Sequence, residues 1–543
     1  MPLSDSSIKK LTNLIRDSFR VRRNQRPLYV DLGGSLERIA AAQHQVIFGR
    51  RGSGKSCLLV HYLNTTADSR ILPIYVLADE FKKLTYPDIL IRLLVEILES
   101  IPVRWAVFKK LLRRPAPTSV AAEELRKLLD VADESEVVED RQHRTADTAS
   151  VNVSAQGVGR AAIGSTTDQA QTRSSKFKER KIDTLERHLR DYKNAIISAV
   201  KTSRAERGCV LIDDFYLISR EWQSDVFDYI HRLLRDTDVY LKVATIRHRT
   251  TLLRNRPQTV GVELGQDVEE INLDRTLEDL EATEQYLLHM LRTMGERVGV
   301  TDLMAYFNPD ALQALTLASG GVPRDFLNIF VNAVEVGVSE ERAKWLTPRN
   351  IYKGAGRLAY QTKLKNLRDD AGLDAAGLDR VLVDLLTFCL KEKRKTAFLI
   401  SQDEAQQHPG EHRLIQQLMD FKLIHVVEPD TSAASGRSGR YEAYTLDFSL
   451  FMEPRRRNIE IVEFWRRGED SHRVGIREAP VYGLDRVARV FEEPSSGTSP
   501  EAFLDEPDVE PGAKEQPQAR RAREPERGIQ RDLFDKDEKQ GNG

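Results

Sequence analysis

The sequence predicts an α/β protein built on a parallel sheet with helices on both faces. Three observations carry that expectation. Nearly continuous apolar runs, such as "RILPIYVLAD" (70–79) and "GCVLIDDF" (208–215), have the pattern of strands covered on both sides. These runs alternate with segments of helical period. A third short apolar run, "QVIF" (45–48), passes through the glycine-rich loop "GRRGSGKS" into a helix.

Bulk properties narrow the class. A chain of 543 residues is long enough for two or three domains with real cores. It is 40% hydrophobic and 30% charged, with a formal net charge of −1. No global field therefore favours nucleic acid or membrane, and any basic surface must be local. Cys57, Cys209 and Cys389 lie far apart in apolar surroundings, which argues for reduced thiols in the cytoplasm rather than a disulfide framework. No run approaches the ~20 apolar residues of a membrane span, and "MPLSDSSIKKL" lacks the apolar stretch of a signal peptide. His408, His412 and His425 have no matching cysteine or acidic set, so no metal centre is expected there.

The elements follow in order. Residues 1–27 read as an amphipathic helix ending in the basic elbow "RVRRNQRP". A core is expected over 28–275. It opens with a short strand, "PLYVDL", that could lie near an adenine. The "QVIF" strand, the loop and the helix "CLLVHYLNTT" come next. After strand 70–79, helices are expected at about 87–100, 104–113 and 120–131. Residues 132–176 are rich in Ser, Thr, Ala, Gly and Gln and read as a flexible insertion, with a small hairpin at "VNVSAQGVG". A helix at 177–203, strand 208–215, the helix "EWQSDVFDYIHRLLRDT" and the strand "VYLKVATIRHR" (239–249) complete the core. Residues 276–370 turn helical. Over 371–470 a helix, the strand "TAFLIS", the helix "EHRLIQQLMDF" and two strand-like runs appear in winged-helix order, followed by a helix "RNIEIVEFWRRG". Residues 492–543 are too poor in apolar side chains to fold and read as a disordered tail.

The loop carries the chemistry. Gly49, Arg50, Arg51, Gly52, Ser53, Gly54, Lys55, Ser56 and Cys57 fit the phosphate-binding pattern G-x4-G-K-S in full. Glycines let backbone N–H groups turn inward, and the helix that follows offers unpaired N–H groups and the positive end of its dipole. Lys55 would reach the terminal phosphates of ATP, and Ser56 would hold Mg²⁺. The bland alternative is a basic surface turn. "VLIDDF" ends a strand with two carboxylates: Asp213 suits the Mg²⁺ shell and Asp214 suits orienting or activating water. An Asx turn is the plain alternative. Thr245 or Arg247 would meet a γ-phosphate at the end of "VYLKVATIRHR", unless that strand merely leaves the core. In "SGGVPRDFL", two glycines and a proline stop one helix and start another. That puts Arg324 on a first turn, able to face a nucleotide or only solvent.

These motifs, in this order, resemble the P-loop ATPases that group origin-recognition-type AAA+ initiators with STAND signalling ATPases. The resemblance spans about residues 28–450. It implies a P-loop NTPase core with a parallel three-layer sheet, a helical lid bearing the "GGVPR" turn, and a winged-helix-like domain. Asp213–Asp214 is nearer the STAND habit, since AAA+ initiators prefer Asp-Glu. Arg324 is nearer the AAA+ habit. Homo-oligomers are implied, with Arg247, Arg249, Arg254 and Arg256 as candidate arginine fingers. The expected function is ATP binding and hydrolysis, coupling nucleotide state to rearrangement of lid and winged helix on a protein or DNA partner. Alternatives are a DNA-binding regulator or initiator that uses ATP mainly as a conformational lock, and a scaffold with a degenerate site. In the winged-helix-like segment, Arg413, Gln416, Gln417, Arg437, Arg440, Lys391, Lys393, Arg394 and Lys395 offer phosphate contacts but no strong base-reading face.

Overall fold

The computed structural model describes residues 3–23, 27–31, 33–66, 70–101, 116–130, 160–203, 205–255, 258–339, 343–358, 362–371, 375–434, 437–452, 458–467, 473–492, 499–500 and 503. For 160–177, 357, 370 and 371 only the backbone is described. The expected helix at 104–113, the "VNVSAQGVG" hairpin and nearly all of the tail lie outside these residues.

Five strands form the central sheet: β1 (Gln45–Phe48), β2 (Ile71–Leu77), β3 (Arg207–Asp213), β4 (Val239–Thr245) and, beyond the short hairpin β5 (Leu253–Arg254) and β6 (Val260–Gly261), β7 (Glu269–Asn272). Their order is β2-β3-β4-β1-β7, all parallel. The two-residue period of a strand distributes its side chains to two cores. Val46, Val210, Ile212 and Val243 face helices Asp88–Glu99 and Gln223–Leu234. Ile47, Cys209, Leu211 and Ala244 face helices Ser35–Ala40 and Lys55–Thr65. The result is the expected three-layer α/β architecture.

The sheet carries a buried cation at its lower end. Lys242 of β4 donates to Ala41 O (2.7 Å), Gln43 O (2.7 Å) and Gln45 Oε1 (2.6 Å). Burial pushes its ammonium down to about 8, and the three acceptors offset the desolvation.

Beyond the sheet, helices Leu280–Arg297, Ala311–Ser319, Pro323–Ser339 and Pro348–Leu358 pack together with the N-terminal helix Ser6–Ser18. Their core is continuous with that of a C-terminal unit. This unit holds the antiparallel sheet β8 (Ala397–Ser401), β10 (Tyr441–Leu446) and β9 (Ile424–Thr431), in that order, and helices Ala375–Leu386 and Pro409–Asp420. Ile8, Leu291, Phe326, Leu382, Phe398 and Leu446 all belong to this one cluster.

Several expectations need correction. Residues 27–31 form no strand, because no neighbouring edge pairs with them. The helix expected from 177 begins at Arg160, which shortens the insertion. The polar end of "VYLKVATIRHR" leaves the sheet at Thr245 and continues as a 3₁₀ turn, Arg247–Arg249. Residues 458–467 of "RNIEIVEFWRRG" are not a helix: Glu460 pairs with Lys395 in a β-bridge, and Val462 and Phe464 are buried from irregular backbone. Helix Asp485–Glu492 was not foreseen.

Lys242→Ala should take this donor from Gln43 O and Gln45 Oε1, while Ala41 O keeps the Gln43 N–H. The expected loss is about 3 kcal/mol of unfolding free energy, read from urea denaturation, with the far-UV spectrum of the folded state unchanged.

Candidate nucleotide site

The loop leaves β1 at the C-terminal end of the sheet. β1 lies between β4 and β7, while the next strand in sequence, β2, is at the far edge. Ligand crevices in open parallel sheets form at such switch points. Gly54 caps the following helix with φ 103°, a left-handed conformation that suits glycine.

The loop fits an anion. Ser53 Oγ is buried with no hydrogen-bond partner. A Cβ on Gly49 would fall 2.2 Å from that oxygen, so the cradle tolerates no side chain there. Lys55 is buried and its Nζ donates to Gly49 O (2.6 Å) and Arg50 O (3.2 Å). Burial lowers its pKa, while Asp274, Asp213 and Asp214 favour the ammonium. A cleft of about 320 Å³ opens beside the loop. Gly52, Gly54, Ser56, Cys57 and Arg324 line one end of it, and Leu28, Met290, Met294 and Leu327 make it apolar. Pro27 and Leu28 of the "PLYVDL" segment lie on its wall. The Cys57 thiol donates to Leu28 O (3.3 Å), and burial pushes it up to about 12.

The two carboxylates sit in different settings. Asp213 is buried at the end of β3 and accepts from Tyr75 Oη (2.8 Å) and from the Asp214 N–H (2.9 Å). Asp214 has φ 54°, which turns the chain sharply out of the strand. Its carboxyl is pushed up to about 6, first by burial and then by Asp213, while Lys55 pulls the other way. A carboxylate poised near neutrality suits a general base.

Other expected residues are bonded within the chain. Thr245 is buried; its Oγ1 pairs with Thr250 Oγ1, and its carbonyl accepts from the Gly49 N–H (3.2 Å). Arg247 pairs with Glu270 and lies over the Phe48 ring at 4.3 Å. Arg249 lies over the rings of Tyr216 (4.8 Å) and Phe421 (5.4 Å). Arg254 pairs with Asp225 (2.9 Å). Arg256 is outside the described residues. Arg324 lies against the loop, its N–H donating to Gly52 O (3.2 Å).

Arg50 departs most from expectation. It is buried, and its guanidinium turns to the Gly320 turn between helices Ala311–Ser319 and Pro323–Ser339 and to the C-terminal unit. Its backbone N–H and its Nε reach Asp274 Oδ1 (2.7 and 3.4 Å). One terminal nitrogen donates to Arg275 O (2.7 Å) and Gly320 O (3.2 Å), and the other faces His425 Nδ1 (3.2 Å). Arginine only donates, so Nδ1 accepts and the proton is on Nε2, which donates to Asp447 Oδ2 (2.7 Å). Burial lowers the His425 pKa, in keeping with a neutral ring. Burial opposes the charge of Asp447, but Lys363 (2.6 Å) and His425 hold its carboxyl below the usual range. Lys363 also lies 3.8 Å from Asp325, which accepts from Lys422 (2.8 Å). Asp325 follows Arg324 on helix Pro323–Ser339. Gly320, at φ 58°, abuts the imidazole: a Cβ there would fall 1.9 Å from His425 Cε1. Arg51 extends the same contact to Asn366 (3.4 Å).

The sequence reading missed Tyr75, Asp274, His425, Asp447 and Lys363. A polar residue next to an apolar run flagged some of them, but nothing local said where they would meet.

No family model matches this chain, and no curated protein matches it. Solved structures align with it loosely. The ORC1 protein of Aeropyrum pernix, in complex with DNA, is 14% identical with a TM-score of 0.32, over 82% of this chain and 90% of that one. A Walker-type ATPase of Pyrococcus abyssi is 12% identical with a TM-score of 0.36, over 81% and 92%. The RuvB Holliday junction branch migration motor of Thermotoga maritima is 10% identical with a TM-score of 0.26, over 72% and 77%. The strand order and the loop geometry define the class from within: an α/β P-loop NTPase fold.

Arg50→Ala should remove the donor to His425 Nδ1, Arg275 O and Gly320 O and free the C-terminal unit from the loop, while the backbone N–H still reaches Asp274. Removing one partner of a buried charged cluster costs about 3–5 kcal/mol. Hydrogen exchange should accelerate over 424–446 and 320–326, while β1 to β4 remain protected.

Proposed function

We propose that this protein binds ATP with Mg²⁺ and hydrolyses it, and that nucleotide state governs how tightly the C-terminal unit docks on the loop. The observation that carries the reading is the loop itself: an orphaned Ser53 hydroxyl and a buried Lys55, with Asp213 and Asp214 contributing to the field at that lysine. Lys55 and the N–H groups at the start of its helix would hold the phosphates. Ser56 and Asp213 would hold Mg²⁺, which when bound neutralises charge on the phosphates and orients them. Asp214 would accept the proton of the attacking water. The adenine would enter the apolar cleft against Leu28, Met290 and Met294, with Arg324 nearby.

The partner is a macromolecule met through the winged-helix-like C-terminal unit, and a protein partner fits better than a DNA site. The candidate reading helix, Pro409–Asp420, turns Gln417 and Asp420 inward, and both are buried. Lys391 lies over the Phe503 ring (4.3 Å), Lys395 pairs with Glu460 (3.2 Å), and Arg440 pairs with Asp430. Part of this charge is thus engaged within the chain. Assembly into oligomers belongs to the same reading, and it would require Arg247, Arg249 or Arg254 to exchange internal contacts for a neighbour's nucleotide.

Lys55→Ala should weaken binding of labelled ATP roughly 10- to 100-fold, the worth of one buried charge-assisted hydrogen bond. Unchanged binding would remove the loop from the site. Asp214→Asn should spare binding and slow phosphate release by ~10²–10⁴-fold, as loss of a general base does.

The sign of the pH dependence follows from Asp214. Its carboxyl accepts a proton only when ionised, so the wild-type rate should rise as pH passes about 6 and level off above it. A rate that falls over that range would assign the base elsewhere.

A further inference from the structure

We propose that Tyr75 is the positioning residue of the Mg²⁺-bearing carboxylate, and that Arg23 of the N-terminal elbow tunes it. The inference rests on the ATPase reading above and adds to it a residue with no place in the phosphate-binding pattern.

Register makes the contact. β2 and β3 run parallel, with Tyr75 opposite Leu211 and Leu77 opposite Asp213. Side chains two residues apart on a strand share a face, so Leu211 and Asp213 point to the same side as Tyr75. That side is packed by the helix that follows the loop. The phenol leans along the strand direction and donates to Asp213 Oδ2 at 2.8 Å. The other oxygen, Oδ1, accepts the Asp214 N–H. The carboxylate is therefore held at both oxygens, and its rotamer is set before any metal arrives. Outer partners of this kind orient a ligating carboxylate and set its basicity.

The donor role of Tyr75 is secure. Burial raises its pKa, and the neighbouring carboxylate adds to the effect, so the phenol keeps its proton. The ring is buried on one side and meets the Arg23 guanidinium, 5.5 Å from its centroid, on the other. A cation over the ring polarises the phenol and strengthens its O–H as a donor. Arg23 is exposed, and it belongs to the elbow that also lines the cleft through Arg20, Val21 and Arg22. One short segment thus touches both the cleft and, through Tyr75, the metal carboxylate.

The test uses the full chain and a fluorescent ATP analogue, MANT-ATP, titrated with Mg²⁺ and separately with EDTA present. Tyr75→Phe keeps the ring and removes the hydroxyl. Half-saturating Mg²⁺ should rise about 10-fold, at the lower end of what loss of an outer partner of a metal ligand costs. Affinity measured in EDTA should stay within about twofold, since no phosphate contact is touched. Arg23→Ala, a surface change that leaves the core alone, should move the Mg²⁺ midpoint in the same direction by less. A merely structural role for Tyr75 would lower thermal stability and leave the midpoint in place. Superposed Mg²⁺ curves for wild type and both variants would overturn the inference. So would equal losses with and without the metal. A wild-type chain that bound no MANT-ATP under either condition would instead overturn the ATPase reading on which it rests.

Discussion

A single buried guanidinium ties the loop to everything around it. Arg50 has lost its water, and a charge moved out of water must be compensated by well-placed acceptors. Those acceptors come from Asp274 and Arg275 after β7, from the Gly320 turn and from the C-terminal unit. They are brought together by segments more than two hundred residues away in sequence. The loop cannot therefore change shape alone. A shift of Arg50 disturbs Asp274, the Gly320 turn and the His425–Asp447 pair together. Coupling through such a buried network is a matter of unpaired charges, which makes intermediate positions expensive.

The sheet was legible because buried parallel strands leave an unmistakable run of apolar residues. Leu72, Ile74, Val210, Ile212, Leu241 and Val243 sit where those runs put them. The loop was legible because its spacing answers to one chemistry. What escaped shares a physical cause: the decisive contact was not local. β7 has the sequence "EEIN" and a single fully buried side chain, and it exists as a strand because β1 offers an edge for it. "PLYVDL" has strand-like residues but no edge to join. "RNIEIVEFWRRG" was expected as a helix; Glu460 instead bridges to Lys395 just before β8, and Val462 and Phe464 enter the core from irregular backbone. Tyr75 looked like one more apolar strand residue, and only the β2–β3 register turns its hydroxyl into a partner for Asp213.

Charge was the least transferable signal. Arg50 and Arg51 stand within the phosphate-binding pattern, yet Arg50 spends its donors on the domains around it. The basic residues before β8 read as a phosphate-binding face, yet Lys393 lies over the Phe388 ring (5.7 Å) and Lys395 is paired with Glu460. Counting cations along a chain measures supply. The field at a surface depends on what remains after internal pairing, and such pairing is decided by the fold.

Gly320 draws a last consequence from this packing. Its one missing methyl group sets the spacing between the end of helix Ala311–Ser319 and the C-terminal unit, since the His425 ring occupies the volume a Cβ would need. The position works as a shim of zero thickness. Any substitution drives a Cβ into that ring. The separation of helix Ala311–Ser319 from β9 thus depends on the one residue type without a side chain, at the same position whose carbonyl accepts from Arg50.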